Sequence, residues 1–225
     1  MNNDSIVVAL NNVTKTYRRG AEEIRAVDNV SLQVRSGEFL AITGQSGSGK
    51  TTLLQLIGAM DTPTSGNITV SGRELVGQSD MQLTQLRRHT IGFVFQQFGL
   101  LPTLSVAENV ALPALSAGEQ TRARVQVLLQ RMGLEHRQNH RPSELSGGEM
   151  QRTAIARSLI NNPKILLADE PTGNLDSTTG AEILSLFQEL RTQGLTIVVV
   201  THNDLFACAT DRKITLQDGR IVGSP

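Results

Sequence analysis

Aromatic side chains are scarce in this chain: they make up 3% of its 225 residues, and tryptophan does not occur. Apolar residues still reach 39%, so a core has to be assembled from leucine, isoleucine and valine. Cysteine is nearly missing as well. Cys208 stands alone, which excludes an internal disulfide and suits a reducing compartment. No segment approaches the ~18 consecutive apolar residues of a membrane span. The stretch Met1–Leu10 carries an acidic residue where a secretory leader has basic ones. These absences predict a cytoplasmic chain that meets a membrane only through a partner. Excess charge is absent too, because 21 basic residues balance 21 acidic ones. Nucleic-acid binders meet phosphate backbones with a broad basic field, so no nucleic-acid partner is expected.

What is present is enough chain for one large domain or two packed lobes. Ile6–Val13 and Ala26–Val34 read as strands around a turn-rich Tyr17–Gly20, followed by a short apolar strand, Phe39–Thr43. Thr51–Met60 has the leucine spacing of a helix, and Asn67–Val70 and Ile91–Phe95 are further strands. From Thr103 to Leu159 helical patterns dominate, most clearly Glu119–Met132 and Glu149–Leu159. Strands return at Lys164–Ala168 and Thr196–Val200 with the helix Thr178–Leu190 between them. Lys213–Leu216 and Arg220–Val222 form a hairpin about Asp218-Gly219. Short buried strands alternating with helices predict an α/β class with a parallel sheet and an inserted helical lobe.

Gly44-Gln45-Ser46-Gly47-Ser48-Gly49-Lys50-Thr51 follows a strand and opens a helix. This is the pattern of a phosphate-binding loop. Glycines let backbone N–H groups close on phosphate oxygens, and the helix N-terminus adds a favourable dipole. Lys50 is placed to neutralise the β- and γ-phosphates, with Thr52 beside it in the site and the Thr51 hydroxyl on Mg²⁺. The apolar strand Ile165–Ala168 then delivers Asp169 and Glu170 to its carboxyl end. Taken alone, that pair fits a charged turn equally well. Behind a phosphate loop it predicts Asp169 holding Mg²⁺ and Glu170 acting on the attacking water.

A phosphate loop with its partner strand fits kinases, GTPases and many ATPases. Leu145-Ser146-Gly147-Gly148-Glu149 separates them, because it resembles the signature sequence of ABC ATPases. The remaining motifs occur in that family's order over essentially the whole chain. Tyr17 matches the adenine-stacking aromatic, Gln96 the glutamine that reaches the metal, Asn174-Leu175-Asp176 the D-loop and His202 the switch histidine. Asn203 departs from the aspartate that commonly follows that histidine. By residue type alone Tyr17 also fits a core aromatic, His202 a surface histidine, and Gln96 is not distinguished from Gln97. Ser146 and Glu149 also make a capping box, which is compatible with the signature reading.

The resemblance implies a P-loop ATPase core with an antiparallel β subdomain and an inserted helical subdomain, all one nucleotide-binding domain over 1–225. About 1–100 and 161–225 would form the catalytic lobe and about 101–160 the helical signature lobe. It implies ATP and Mg²⁺ as ligands, with Asp176 among the nucleotide-binding residues, and a head-to-tail homodimer in which Ser146, Gly147 and Gly148 serve the ATP of the opposite subunit. Lys50, Glu170 and His202 would carry the catalysis, and motion would pass through Gln96 to an integral membrane permease. Ile91–Phe98 and Glu170–Asp176 resemble the lipoprotein-release and macrolide-export branch (LolD/MacB), although Gly99 stands where that branch often has asparagine. With the chain ending at Pro225, the permease is expected to be a separate protein on the inner face of the membrane. A cell-division ATPase acting on wall hydrolases, a soluble ABC ATPase and a P-loop small-molecule kinase are the alternative readings. The signature speaks against the kinase.

Overall fold

Valines and leucines alternate along the first two strands, and in the computed structural model these pair as a long hairpin. The structure describes residues 5–20, 22–115 and 118–223. The start of Met1–Leu10 and the terminal Pro225 lie outside the described residues. β1 (Ile6–Arg19) and β2 (Glu22–Arg35) are antiparallel, with Val8, Leu10, Val13, Val27, Val30, Leu32 and Val34 buried. The turn expected at Tyr17–Gly20 is mostly strand: Tyr17 pairs with Ile24, and Arg18 with Glu23. Repeated register shifts along β1 break its alternation, which hides the true strand length from a period-two reading.

Next come β3 (Phe39–Thr43), α1 (Lys50–Ile57), β4 (Ser65–Val70) and β5 (Arg73–Glu74). Then follow α2 (Asp80–Thr90), β6 (Ile91–Val94), α3 (Val106–Ala111), α4 (Glu119–Arg131) and α5 (Gly147–Ser158). The chain closes through β7 (Ile165–Asp169), α6 (Ser177–Thr192), β8 (Thr196–Val200), α7 (Asp204–Cys208), β9 (Arg212–Gln217) and β10 (Arg220–Val222). Among the described residues no strand lies between Thr103 and Leu159.

Two sheets result. An antiparallel one has the order β2-β1-β4-β5, and a second runs β10-β9-β3-β8-β7-β6. In the second, β9, β3, β8, β7 and β6 are parallel and β10 closes a hairpin on β9. Continuous apolar runs are what a parallel sheet covered on both faces demands. Leu40, Ile42, Ile165, Leu167, Val198 and Val200 face one core, shared with α1 and the antiparallel sheet. Phe39, Ala41, Leu166, Ala168, Ile197 and Val199 face the other, under α3 to α6. Half of the chain's six phenylalanines meet in that second core, where Phe39, Phe187 and Phe206 lie with ring centroids 5.5–6.2 Å apart.

This topology places the carboxyl ends of β3, β6, β7 and β8 along one sheet edge, where open α/β sheets bind ligands. The phosphate loop, Gln96, Glu170 and His202 each follow one of those ends, and Asp169 closes β7.

Candidate nucleotide site

The loop leaving β3 is pressed against other backbones. A Cβ on Gly49 would lie 1.9 Å from the Ala26 carbonyl oxygen of β2, and one on Gly44 2.1 Å from that of Leu216 in β9. Both glycines also hold positive φ, 98° and 145°, so space and conformation each exclude a side chain. The loop ends in α1, whose first residue, Lys50, is almost wholly buried. Its ammonium donates to the carbonyls of Gly44 at 2.9 Å and Gln45 at 2.8 Å. A cation is therefore fixed in the mouth of a cleft of about 480 Å³.

That cleft gathers most of the predicted site. Gly44, Ser46, Gly47 and Gly49 form its floor with Lys50, Thr51 and Thr52, and Gln96, Glu170 and His202 stand around it. Gln97 does not line it, so geometry separates the two adjacent glutamines. Gln45 and Ser48 line a neighbouring cleft that shares Gly44, Ser46, Gly47 and His202 with the first. Asp169 sits at the end of β7 beside the Thr51 hydroxyl, which donates to its Oδ1 at 3.3 Å. Burial pushes the Asp169 carboxyl above its usual range; the Thr51 bond opposes this, and the Glu170 charge adds to it.

Glu170 is the first residue beyond β7 and takes φ 47°, a left-handed value rare for a side-chain-bearing residue. Its N–H donates to the Val200 carbonyl, which ties the turn to β8. Glu170 Oε2 lies 2.8 Å from His202 Nδ1 and also accepts the His202 backbone N–H at 3.3 Å. Asn203 caps α7 by accepting from the Phe206 N–H at 3.2 Å. An aspartate there would supply the same acceptor, so the departure is structurally neutral.

Tyr17 does not line the cleft. It projects from β1 with its ring partly exposed, and its hydroxyl donates to Asp61 at 2.8 Å. Lys15 pairs with the same carboxylate at 2.6 Å, and burial followed by the Asp61 bond raises the phenol's pKa. Asp61 has no motif around it, and only the fold brings it to Tyr17.

Ser146, Gly147, Gly148 and Asp176 also lie away from the cleft. Ser146 caps α5 in a complete capping box: the Glu149 N–H donates to Ser146 Oγ, and the Ser146 N–H to the Glu149 carboxylate. Gly148 packs so tightly that a Cβ would lie 2.5 Å from the Thr179 methyl on α6. Asp176 caps α6 through the N–H groups of Thr178 and Thr179, which lowers its pKa. The signature and the D-loop thus pack together at one corner, away from the phosphate-loop cleft, with Ser146 and Asp176 exposed and Gly148 buried.

Sequence reasoning passed over Arg157. This nearly buried guanidinium on α5 donates to the carbonyls of Phe98 at 2.8 Å and Gly99 at 2.6 Å. It ties the loop that carries Gln96 to the helix that carries the signature. Phe98 and Gly99 both have positive φ there, a conformation that glycine and asparagine share. The residue type at 99 therefore tracks backbone shape.

The residues present fit a Mg²⁺ ion. Thr51 and Asp169 offer hard oxygen donors in contact, and the Asp169 carboxyl is half-buried between the Thr51 hydroxyl and the charges of Glu170 and Lys50. Mg²⁺ takes one or two such groups with phosphate oxygens and water rather than an all-protein cage.

Comparison with known proteins agrees with this geometry. The ABC transporter family profile matches residues 27–173. The macrolide export ATP-binding/permease protein MacB of Burkholderia pseudomallei (strain K96243) is 46% identical over 220 residues, covering 96% of this chain and 34% of that protein. MacB of Chlorobaculum tepidum is 46% identical over 218 residues, again 96% of this chain and 34% of that one. The chain thus spans about a third of the length of the curated relatives it matches. The dimeric ATP-binding cassette MJ0796, bound to ADP and Pi in a post-hydrolysis state, superposes with a TM-score of 0.90 at 47% identity, covering 96% of this chain and 97% of that one. CbiO1 of Clostridium perfringens, part of the ABC transporter complex CbiONQ, superposes with a TM-score of 0.86 at 30% identity, covering 98% and 88%. The chain therefore belongs to the ABC transporter family, as an ATP-hydrolysing cassette of a transporter related to MacB and MJ0796.

Proposed function

We propose that this ATPase works as a head-to-tail homodimer enclosing two ATP molecules and driving a separate integral membrane permease. The observation that carries the reading is a division of groups within one chain. Lys50, Thr51, Gln96, Glu170 and His202 surround the cleft, while Ser146, Gly147 and Gly148 are presented elsewhere at the start of α5. A helix N-terminus with exposed N–H groups and small residues suits a γ-phosphate. It serves the cleft only if a second copy brings it there.

In this reading Lys50 exchanges its two loop carbonyls for the β- and γ-phosphates of ATP, and Tyr17 stacks on the adenine. Thr51, Asp169 and Gln96 would hold Mg²⁺, which would supply positive charge against the phosphates. Glu170 orients a water and takes its proton as the water oxygen bonds the γ-phosphorus and the bond to the bridging oxygen breaks. His202 is held through Nδ1 by the Glu170 carboxylate, which fixes its ring beside the transferred group. Closure follows from the higher affinity of the closed dimer for ATP than for ADP. Asp176 and the signature corner would carry contacts across the dimer. Arg157 links that corner to the Gln96 loop, a mechanical path from nucleotide to permease.

The resemblance of Ile91–Phe98 and Glu170–Asp176 to the MacB/LolD branch supports a role in lipoprotein release, export or mechanotransmission, at the inner face of the membrane. No helix among the described residues is long and apolar enough to span a bilayer. In the proposed assembly a separate permease supplies the membrane part. The test is affinity purification from gently solubilised membranes of the source cells, with mass spectrometry of what co-purifies. A stoichiometric integral membrane protein with a large extracytoplasmic domain is expected. A many-span permease would move the chain to a conventional importer or exporter. Recovery without any membrane protein would overturn the reading.

A further inference from the structure

A second cleft, of about 460 Å³, opens beside the amino-terminal ends of β7 and β8, at the opposite edge of the sheet from the nucleotide cleft. Arg124 and Arg131 line it from α4, seven residues apart and so on one helix face. Lys164 lines it from just before β7, and Gln193–Leu195 with Val7 and Pro163 complete the wall. Its positive charge is only partly neutralised. Arg131 meets Glu189 at 3.0 Å, but among the described residues Arg124 bonds to the Leu159 carbonyl and the Asn162 side-chain oxygen and forms no ion pair. Lys164 forms no ion pair among the described residues. The Nε atoms of both arginines are buried without a hydrogen-bond partner, a desolvation that the chain itself leaves uncompensated. Burial, then the Arg131 charge, lowers the Arg124 pKa, so the two guanidiniums repel.

We propose that this cleft binds a phosphate dianion, gripped by Arg124, Arg131 and Lys164. Three cations line the cleft and only Arg131 is paired, with Glu189 from outside the lining, which leaves an excess of two positive charges. A phosphate group balances that excess, whereas a monocarboxylate balances half. Planar guanidiniums and a point-charged ammonium are also the donors that phosphate oxygens favour. Val7, Pro163 and Leu195 offer an apolar wall to the body of a phosphate ester. The bound group joins α4, in the helical segment, to the rim of the parallel sheet, at a site remote from the ATP.

The test is calorimetric titration of the full chain carrying Lys50→Ala, which weakens phosphate capture by the nucleotide loop. Inorganic phosphate and glycerol 3-phosphate are titrated separately, with acetate as the control. At least one phosphate compound is expected to bind saturably, about tenfold or more weakly once Lys164→Ala is added. Lys164 is exposed, so that variant keeps the fold, and Arg124→Gln is expected to act in the same direction. Tighter binding of inorganic phosphate names a free-phosphate source, and tighter glycerol 3-phosphate an esterified one. Absence of saturable binding, equal affinity for acetate, or phosphate binding unchanged by Lys164→Ala overturns the proposal.

Discussion

Nδ1 of His202 lies 2.8 Å from Oε2 of Glu170, and that same oxygen accepts the His202 backbone N–H. The two residues follow different strands, β7 and β8, which are hydrogen-bonded neighbours ending at one level. The positive φ of Glu170 turns the chain at that strand end, and the bond to the Val200 carbonyl holds the turn. The carboxylate and imidazole are thus positioned by the two strand ends.

Removing either group is expected to act on turnover rather than binding. Glu170→Gln keeps the size and the hydrogen bonding but cannot take a proton. Its kcat is expected to fall at least about a hundredfold with ATP affinity retained. His202→Ala is expected to lower kcat by about tenfold or more with a smaller change in KM. Steady-state ATPase assays with equilibrium nucleotide binding separate the two effects. Unchanged turnover in Glu170→Gln contradicts the assignment.

The two signature glycines are expected to respond differently to alanine. Gly148→Ala drives a methyl to 2.5 Å from Thr179, whose hydroxyl and N–H are both held by Asp176, so the neighbour cannot easily yield. A loss of about 1–3 kcal/mol in urea denaturation is expected. Gly147→Ala meets the flexible Leu175 side chain at 3.2 Å and the Asn174 carbonyl at an ordinary 3.9 Å, and gains helix propensity, so stability stays within about 1 kcal/mol. Its ATPase activity is nevertheless expected to fall, because the added methyl obstructs the approach of a partner's γ-phosphate. Full activity in a stable Gly147→Ala contradicts this.

The capping box at α5 carries a pH signature. The Ser146 backbone N–H, helped by the Ser146 hydroxyl and Arg137 against burial, holds the Glu149 carboxyl down to about 2. The unfolded carboxyl titrates near ~4.3. A folded-state pKa below the unfolded one gives stability that is complete above pH ~4.3 and is lost as pH falls toward about 2. The wild type is expected to exceed Glu149→Gln by about 1 kcal/mol at pH 7. That difference should shrink between pH 4 and 2. A difference independent of pH across that window contradicts the assignment.

Tyr17 separates ring from hydroxyl. The hydroxyl is engaged by Asp61 within the chain while the ring remains partly exposed. Tyr17→Phe is therefore expected to keep ATP affinity within about twofold, and Tyr17→Ala to weaken it about tenfold. Fluorescent-nucleotide titration reads both. Equal losses in the two variants would assign the effect to the hydroxyl network instead.

The sequence already carried what is local. β8 was legible to the residue because its five positions are all buried, and β3 because its apolar run ends at the glycine loop. α2 was not: Leu83, Leu86 and Thr90 are its only buried positions, and its capping box of Ser79 and Gln82 lies in a polar stretch. α3 and α7 are too short to set a helical period, with 6 and 5 residues. Within the site, the phosphate loop and Asp169-Glu170 could be read from consecutive residues. Asp61 under Tyr17 and Arg157 under the Gln96 loop could not, because those contacts join residues 44 and 58 or more positions apart. Sequence also could not show that the signature lies away from the cleft within one chain. That separation is the observation from which the proposed head-to-tail dimer is argued.

Sedimentation velocity of Glu170→Gln with and without ATP tests the dimer directly. The account expects a monomer without nucleotide, a dimer with saturating ATP, and loss of that dimer when Ser146→Arg is added. A chain that binds ATP yet stays monomeric, or a dimer indifferent to Ser146→Arg, would contradict it.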